Sequence, residues 1–311
     1  KIMGQPAFQG SKKGKKESEA IHEYQISHPE KIYFPLDKIT KGDVAGYYGK
    51  IANYILPYLK DKPLVMRRFP DGISKPSFVQ KEAGNVPDFV KTALIHHEDR
   101  DIHYILVNNI ETLLYVVNLG SIEMHPFNAP ITHIHKPDYL VFDLDPEQIP
   151  FDAVIKTART FFETLSDLNI SSYCKTSGSR GLHIYIPLAG RYDFEHVRQF
   201  AFTIATRVND RIPSITSLER SPKKRQNKVY IDTLQNREMQ TVAAPYSIRG
   251  KPGATVSTPL EWEEVNKGLN PQKFNINTLF KRLDKLGDIF KPVLGKGIDM
   301  KKILKTIDDS R

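Results

Sequence analysis

Apolar positions in this chain repeat with two spacings, three to four residues apart in some stretches and every second residue in others. Val44, Tyr47, Tyr48, Ile51 and Ile55 share one helical face, which predicts a helix over 41–59 with Pro57 near its end. Val154, Ile155, Ala158, Phe161, Phe162 and Leu165 repeat in the same way and predict an amphipathic helix over 151–168. Further helices are expected at 110–118, 194–208 and 278–286. Short apolar or alternating runs predict strands at 64–69, 77–80, 103–107, 121–125, 139–145, 171–175, 182–187 and 228–232. Strands and helices interleaved in this manner imply an α/β (α+β) protein with a mixed sheet.

The first 20 residues lack this periodicity and carry Ser11-Lys12-Lys13-Gly14-Lys15-Lys16, the composition of a flexible basic tail or linker. Residues 21–311 show no later Gly/Ser-rich linker and no internal repeat, so they are expected to form a single domain.

The stretch Tyr139-Leu-Val-Phe-Asp143-Leu-Asp145-Pro146 carries the most chemistry. Strand alternation puts Tyr139, Val141, Asp143 and Asp145 on one side and Leu140, Phe142 and Leu144 on the other. Both sides stay apolar until the acids begin, which marks a buried central strand. Carboxylates at i and i+2 are about 7 Å apart and repel, a penalty that a divalent cation with hard oxygen ligands, Mg²⁺ or Mn²⁺, would remove. Solvated turn aspartates before a proline are the other reading of this segment alone. A third acid, Asp232, closes the strand that begins at Lys228, on the same face as Tyr230. Three convergent carboxylates could hold two ions for phosphoryl transfer, although one strand-terminal Asp can equally be a cap. Thr176-Ser177-Gly-Ser-Arg180-Gly181 offers backbone N–H groups, hydroxyls and a guanidinium suited to phosphate, yet it has neither P-loop nor Rossmann spacing. His183 follows on a strand, sharing a face with Tyr185.

Composition narrows the classes without choosing among them. The 311 residues hold 45 Lys+Arg against 36 Asp+Glu, a net charge of +9. That excess fits a polyanionic partner and also fits simple solubility. A membrane span needs roughly 18 apolar residues in a row, and the longest apolar-rich uncharged stretch, 112–122, is shorter. No signal sequence is visible, and the lone Cys174 excludes an internal disulfide and a multi-cysteine zinc site. The chain therefore reads as intracellular, without a membrane. His96, His97, His133 and His135 could suggest zinc, with His133 and His135 on one strand face, but no Cys or acid accompanies them.

Taken in order, Asp143-Leu-Asp145, Ser177-Gly-Ser-Arg-Gly-Leu-His183 and Ile231-Asp232 resemble the three motifs of the archaeo-eukaryotic primase superfamily. Thr40-Lys-Gly-Asp43, Arg67-Arg-Phe-Pro-Asp-Gly72, Phe78-Val-Gln-Lys81, Ile122-Glu-Met-His125 and Thr241-Val-Ala-Ala-Pro-Tyr-Ser-Ile-Arg249-Gly narrow the resemblance to the polymerase domain of bacterial-type DNA ligase D, over roughly residues 24–290. The resemblance implies a primase-type catalytic core of mixed central sheets flanked by helices. It also implies a template-directed nucleotidyltransferase (polymerase or primase type) that acts at DNA gaps and double-strand-break ends in non-homologous end joining, preferring ribonucleotides. Two Mn²⁺ or Mg²⁺ ions would be its cofactors, and NTPs or dNTPs its substrates.

By motif position, Asp143, Asp145 and Asp232 would be the metal ligands and catalytic acids. Ser177, Arg180, His183 and Arg249 would hold the triphosphate, with His125 and Arg67 near the incoming nucleotide. Phe78 matches the first of two base-stacking aromatics; the second is Val79 here. Lys31 and Lys41 match a basic pair that grips a 5′-phosphate across the gap, and Arg225, in Lys223-Lys-Arg225-Gln-Asn-Lys228, would add a DNA contact. Some relatives carry Arg where this chain has Gln235. The implied partners are DNA ends and gaps with a 5′-phosphate, a Ku-type protein, and ligase and phosphoesterase modules on the same or a separate chain. The implied location is the cytoplasm, at the nucleoid. A stand-alone primase-polymerase, a catalytically silent end-binding module and a metal-dependent nuclease are the competing readings.

Overall fold

The computed structural model describes residues 25–225 and 227–309. The expected basic tail lies outside them. In chain order the elements are β1 (Ile32–Phe34), β2 (Ile39–Thr40), α1 (Lys41–Leu59), β3 (Leu64–Arg68), β4 (Phe78–Gln80), β5 (Lys91–His96) and β6 (Asp101–Leu106). Then come α2 (Ile110–Asn118), β7 (Ser121–Pro126), β8 (Tyr139–Pro146), α3 (Phe151–Asp167), β9 (Tyr173–Thr176), β10 (Leu182–Pro187) and α4 (Phe194–Arg211). The last are β11 (Thr216–Ser217), β12 (Val229–Asp232), β13 (Pro259–Leu260), α5 (Leu279–Leu286) and α6 (Met300–Asp309). Each strand and helix expected from periodicity is present, with ends shifted by up to three residues. The short strands β1, β2, β11 and β13, the β5 partner of β6, and helix α6 were not expected.

Local chemistry explains the best-defined start. Thr40 caps α1: its hydroxyl accepts from the Asp43 N–H at 3.1 Å, and the Asp43 carboxylate accepts from the Thr40 N–H at 2.8 Å. This reciprocal box satisfies two donors that the first helical turn leaves open.

A six-stranded sheet runs β11-β12-β8-β10-β9-β13, antiparallel except for the β11–β12 pair. As the doubly apolar pattern of 139–145 implied, β8 is an interior strand. Leu140, Phe142 and Leu144 pack with Leu182, Ile184 and Ile186 against α3 and α4, and the Phe142 and Phe161 rings are 4.6 Å apart. Burying each such side chain contributes about 1.5–3 kcal/mol. On the other face, Tyr139, Val141 and Tyr185 join a second core with Tyr58, Tyr246 and Phe290. Tyr58 and Tyr246 both donate to Asp288, at 2.9 and 2.6 Å.

The same core includes the inner face of a three-stranded sheet, β4-β3-β7, backed by α1 and α2. Ile122 and Met124 of β7 point into it, so Glu123 and His125 emerge on the opposite side. The two sheets thus each turn one polar face toward the segment around 243–257, which bonds to both. Among the described residues no helix is long and apolar enough to cross a membrane.

Candidate active site

Three strands set the acids side by side. Asp232 on β12 pairs in register with Asp143 on β8, and His183 on β10 pairs with Asp143 from the other side. Directly opposed residues are about 5 Å apart and share a face, so these three side chains form one row across the sheet. Asp145 stands two residues further along β8, opposite Tyr230. Asn236 fixes the end of β12 beside β8 by bonding the Val141 N–H at 2.8 Å and its carbonyl at 2.7 Å. The strand register thus makes Asp232 a neighbour of Asp143, although the two lie far apart in the chain.

Their electrostatics differ. Burial would raise the Asp143 carboxyl, but His183, whose Nε2 is 3.3 Å away, and the charges of Lys175 and Arg249 hold it below its usual range. Burial and then the neighbouring Asp143 charge push Asp145 up. Asp232 is also raised by burial and by Asp143, against the pull of a 2.7 Å hydrogen bond from the Leu234 N–H. Gln235, the departure noted from sequence, donates to Asp232 at 3.1 Å. Two acids raised by their own burial and a neighbour's charge form a site with surplus negative potential.

The phosphate-suited loop abuts this row. Ser177 Oγ accepts from the Ser179 and Gly181 N–H groups, each at 3.1 Å, which leaves its hydroxyl hydrogen to offer a ligand. Gly181 lets the loop press against β8, since a Cβ there would sit 2.2 Å from the Leu144 carbonyl oxygen. Gly178 adopts φ +70°, and a Cβ there would strike the Arg249 side chain at 2.6 Å. Arg249 donates to the Ser177 carbonyl at 2.6 Å. The Arg180 side chain is largely exposed, its guanidinium 4.0 Å from Asp145.

The facing wall is built around Glu123, whose importance sequence reasoning missed. Buried at 1% exposure, it lies 2.9 Å from His125 Nε2 and 3.2 Å from Arg249 Nε, and accepts from the Gly250 N–H at 2.9 Å. Burial alone would raise this carboxyl; the His125 hydrogen bond and the Arg249 charge bring it down to about 2. Burial lowers His125, against the pull of Glu123. Arg67 pairs in register with Glu123 on the same face. The strand alternation linking Glu123 to His125 was the signal available in the sequence.

Of the residues expected to touch DNA, Lys31 and Lys41 lie together, the Lys41 N–H donating to the Lys31 carbonyl at 2.8 Å, whereas Arg225 stands beside Asp145 and Glu147. Lys31 pairs with Asp71 at 2.5 Å on the surface. Lys41 is only 5% exposed, and its ammonium donates to Ser27 O, Ser27 Oγ and Asn118 Oδ1 at 2.8–3.0 Å. Burial and the nearby Lys31 and Arg68 charges lower it. Phe78 and Val79 are both exposed on β4 but face opposite ways. Val79 shares the face of Arg67, whereas Phe78 lies under the Arg68 guanidinium at 5.1 Å. Arg225, expected to add a DNA contact, is largely buried. It is 8% exposed, stacks on Tyr230 at 3.8 Å, and stands 3.7 Å from Glu147 and 4.0 Å from Asp145. Its guanidinium donates to the Glu219 and Arg220 carbonyls at 3.1 and 2.9 Å.

The donor set fits a hard divalent ion: carboxylate oxygens on adjacent strands, with excess negative charge. As oriented, no three His, Cys, Asp or Glu side chains among the described residues stand close enough together to hold one. Asp143 faces His183 while Asp232 is engaged by Leu234 and Gln235. The four histidines considered for zinc do not cluster. His96, His97, His133 and His135 bond separately to Asp101, Tyr104, Asp138 and Glu238. His133 closes a 3₁₀ turn and is not on a strand. Cys174 is buried and its thiol is pushed up, which leaves it no nucleophilic role.

A family model described as "LigD, primase-polymerase domain" matches residues 40–290. The bifunctional non-homologous end joining protein LigD of Bacillus subtilis (strain 168) is 34% identical over 274 residues, which cover 87% of this chain and 44% of that protein. The multifunctional LigD of Pseudomonas aeruginosa is 30% identical over 290 residues, 91% of this chain and 34% of that one. This chain thus spans less than half the length of either relative. Among solved structures, the polymerase domain from Mycobacterium tuberculosis ligase D in complex with DNA superposes with a TM-score of 0.82 at 25% identity. That match covers 89% of this chain and 99% of the other.

Proposed function

Because the chain belongs to the LigD primase-polymerase family, we propose that it is a template-directed nucleotidyltransferase that extends primers at DNA gaps and double-strand-break ends in non-homologous end joining, with ribonucleotides preferred. The observation that carries the reading is the in-register row of Asp232, Asp143 and His183, with Asp145 beside it and a phosphate-suited loop at its edge.

In this reading a primer 3′-hydroxyl attacks the α-phosphorus, a new P–O bond forms, and pyrophosphate leaves as the bond to the β-phosphate breaks. Asp143, Asp145 and Asp232 would hold two divalent ions, Mn²⁺ or Mg²⁺, which when bound supply a lowered hydroxyl pKa and neutralise pyrophosphate charge. The Ser177 hydroxyl, Arg180, His183 Nε2 and Arg249 donate to the triphosphate, and their fixed positions avoid reorganisation as charge shifts. His125 and Arg67 flank the nucleotide from the facing sheet. Lys31, Lys41 and Phe78 engage the DNA, while Arg225 acts by tempering the charge of Asp145. Ligase and phosphoesterase modules, on this polypeptide or another, and a Ku-type partner complete the pathway in this reading.

The test is incubation with Mn²⁺, NTP and a labelled primer-template. Strands should lengthen, and Asp143→Ala should abolish extension; shortened strands would instead mark a nuclease. A gapped substrate with and without a downstream 5′-phosphate separates end-directed synthesis from free-standing priming, because equal extension of the two would count against the former.

A further inference from the structure

Phe78 is 46% exposed at the start of β4, an edge strand of its sheet, where a ring samples several rotamers unless a neighbour holds it. Arg68 is such a neighbour. It pairs with Phe78 in register from β3, and its guanidinium lies 5.1 Å from the ring centre. The guanidinium is itself fixed from two sides. Its Nε donates to the Leu119 carbonyl oxygen at 2.6 Å, where the C-terminal end of α2 favours a cation, and its Nη1 donates to Gln80 Oε1 at 2.6 Å. The Gln80 amide has its orientation set as well. Its Nε2 donates to the Glu82 carbonyl at 2.7 Å, a group that only accepts, so Oε1 is the atom left for Arg68. Phe78 and Gln80 stand two residues apart on one face of β4, and the planar guanidinium reaches both. The same end of α2 holds Lys41, whose Nζ donates to Asn118 Oδ1 at 2.8 Å. Arg68 and the basic pair read as a phosphate grip therefore share one anchor.

We infer that Arg68 is a positioning residue that holds one face of the Phe78 ring in a fixed plane and leaves the other open to an unpaired template base. The cation is drawn to the electron-rich face of the ring. A ring already held in place loses little conformational freedom when a base stacks on it, so more of the stacking energy remains as affinity. The inference rests on reading Phe78 as a base-stacking residue.

The probe is a gapped duplex with either a base or an abasic site at the first unpaired template position, bound without nucleotide and followed by fluorescence anisotropy. The ratio of the two affinities isolates stacking, because the phosphate contacts are common to both. The unsubstituted protein should prefer the base about tenfold, the scale of one base–aromatic stack, and Phe78→Ala should abolish the preference. Arg68→Met removes the planar cation and should cut the preference about threefold, the scale of an exposed cation–π contact. Arg68→Lys keeps the charge but has no plane to lay on the ring, and should behave as Arg68→Met does. An intact preference in Arg68→Met would overturn the inference. So would an equal loss of affinity for both duplexes, which marks a phosphate contact instead. If Arg68→Met does not fold, Gln80→Met takes away one anchor of the guanidinium and is read by the same ratio, an unaltered value again overturning the inference. No preference in the unsubstituted protein, or one that survives Phe78→Ala, sinks the stacking reading itself, whatever Arg68 does.

Discussion

Replacing Glu123 by Gln keeps the volume of a side chain that is 1% exposed and removes its charge. The carboxylate has three partners: His125 at 2.9 Å, Arg249 at 3.2 Å and the Gly250 N–H at 2.9 Å. An amide oxygen can still accept from Gly250, but it cannot pair with the Arg249 guanidinium. A carboxyl held at about 2 in place of its ordinary 4.5 represents about 3 kcal/mol, at 1.36 kcal/mol per pH unit. Loss of one partner of a buried pair falls in the same range, about 3–5 kcal/mol. The expected loss at pH 7 is therefore about 3 kcal/mol, read as a lower urea midpoint at unchanged slope. The folded-state value is depressed, so the stabilisation is complete above 4.5 and disappears as pH falls toward 2. The gap between the two proteins should close over that window. An equal midpoint at pH 7, or a gap that stays constant down to pH 2, would refute the account of Glu123 as an ionised hub.

Other perturbations give equally direct expectations. Asp143→Asn removes a charge that helps raise Asp145 and Asp232, so carbon-detected NMR titration should show both carboxyls moving down. Unmoved values would mean that the three acids do not share a field. Gly181→Ala places a Cβ 2.2 Å from the Leu144 carbonyl oxygen; backbone cannot yield cheaply there, and a loss of about 2 kcal/mol or more should appear in denaturant melts. Lys31→Ala and Lys41→Met should behave differently. The first, freeing only a surface pair with Asp71, should leave stability within about 0.5 kcal/mol and reduce the preference for a 5′-phosphorylated gap. The second strands the Ser27 and Asn118 oxygens and should cost about 1–3 kcal/mol in the same melts.

The face on which each side chain lies was legible from local order alone. Alternation in Tyr139–Asp145 separated the acids from the core residues Leu140, Phe142 and Leu144, and alternation ending at Asp232 did the same on a second strand. Such patterns are legible because a strand or helix repeats with a fixed period, whatever it later packs against. The ordered motifs added the family. What periodicity could not supply was which strands would be neighbours and at what register. The pairing of Asp232 with Asp143, and of His183 with Asp143, is a contact between segments far apart in sequence. Arg225 belongs to a basic run in the sequence, and its stacking on Tyr230 is visible only in the fold. Phe78 and Val79 occupy the two positions where the family stacks a base, and pairing with β3 turns them to opposite sides. Helix α6 and strand β5 were missed because their short apolar patterns acquire meaning only from the partners they cover: the α4 core for one and β6 for the other. Sequence thus determined which way each side chain points from its own backbone, a property of a few adjacent residues. The tertiary structure decided what each one meets, because register and neighbourhood are fixed by the packing of the whole chain.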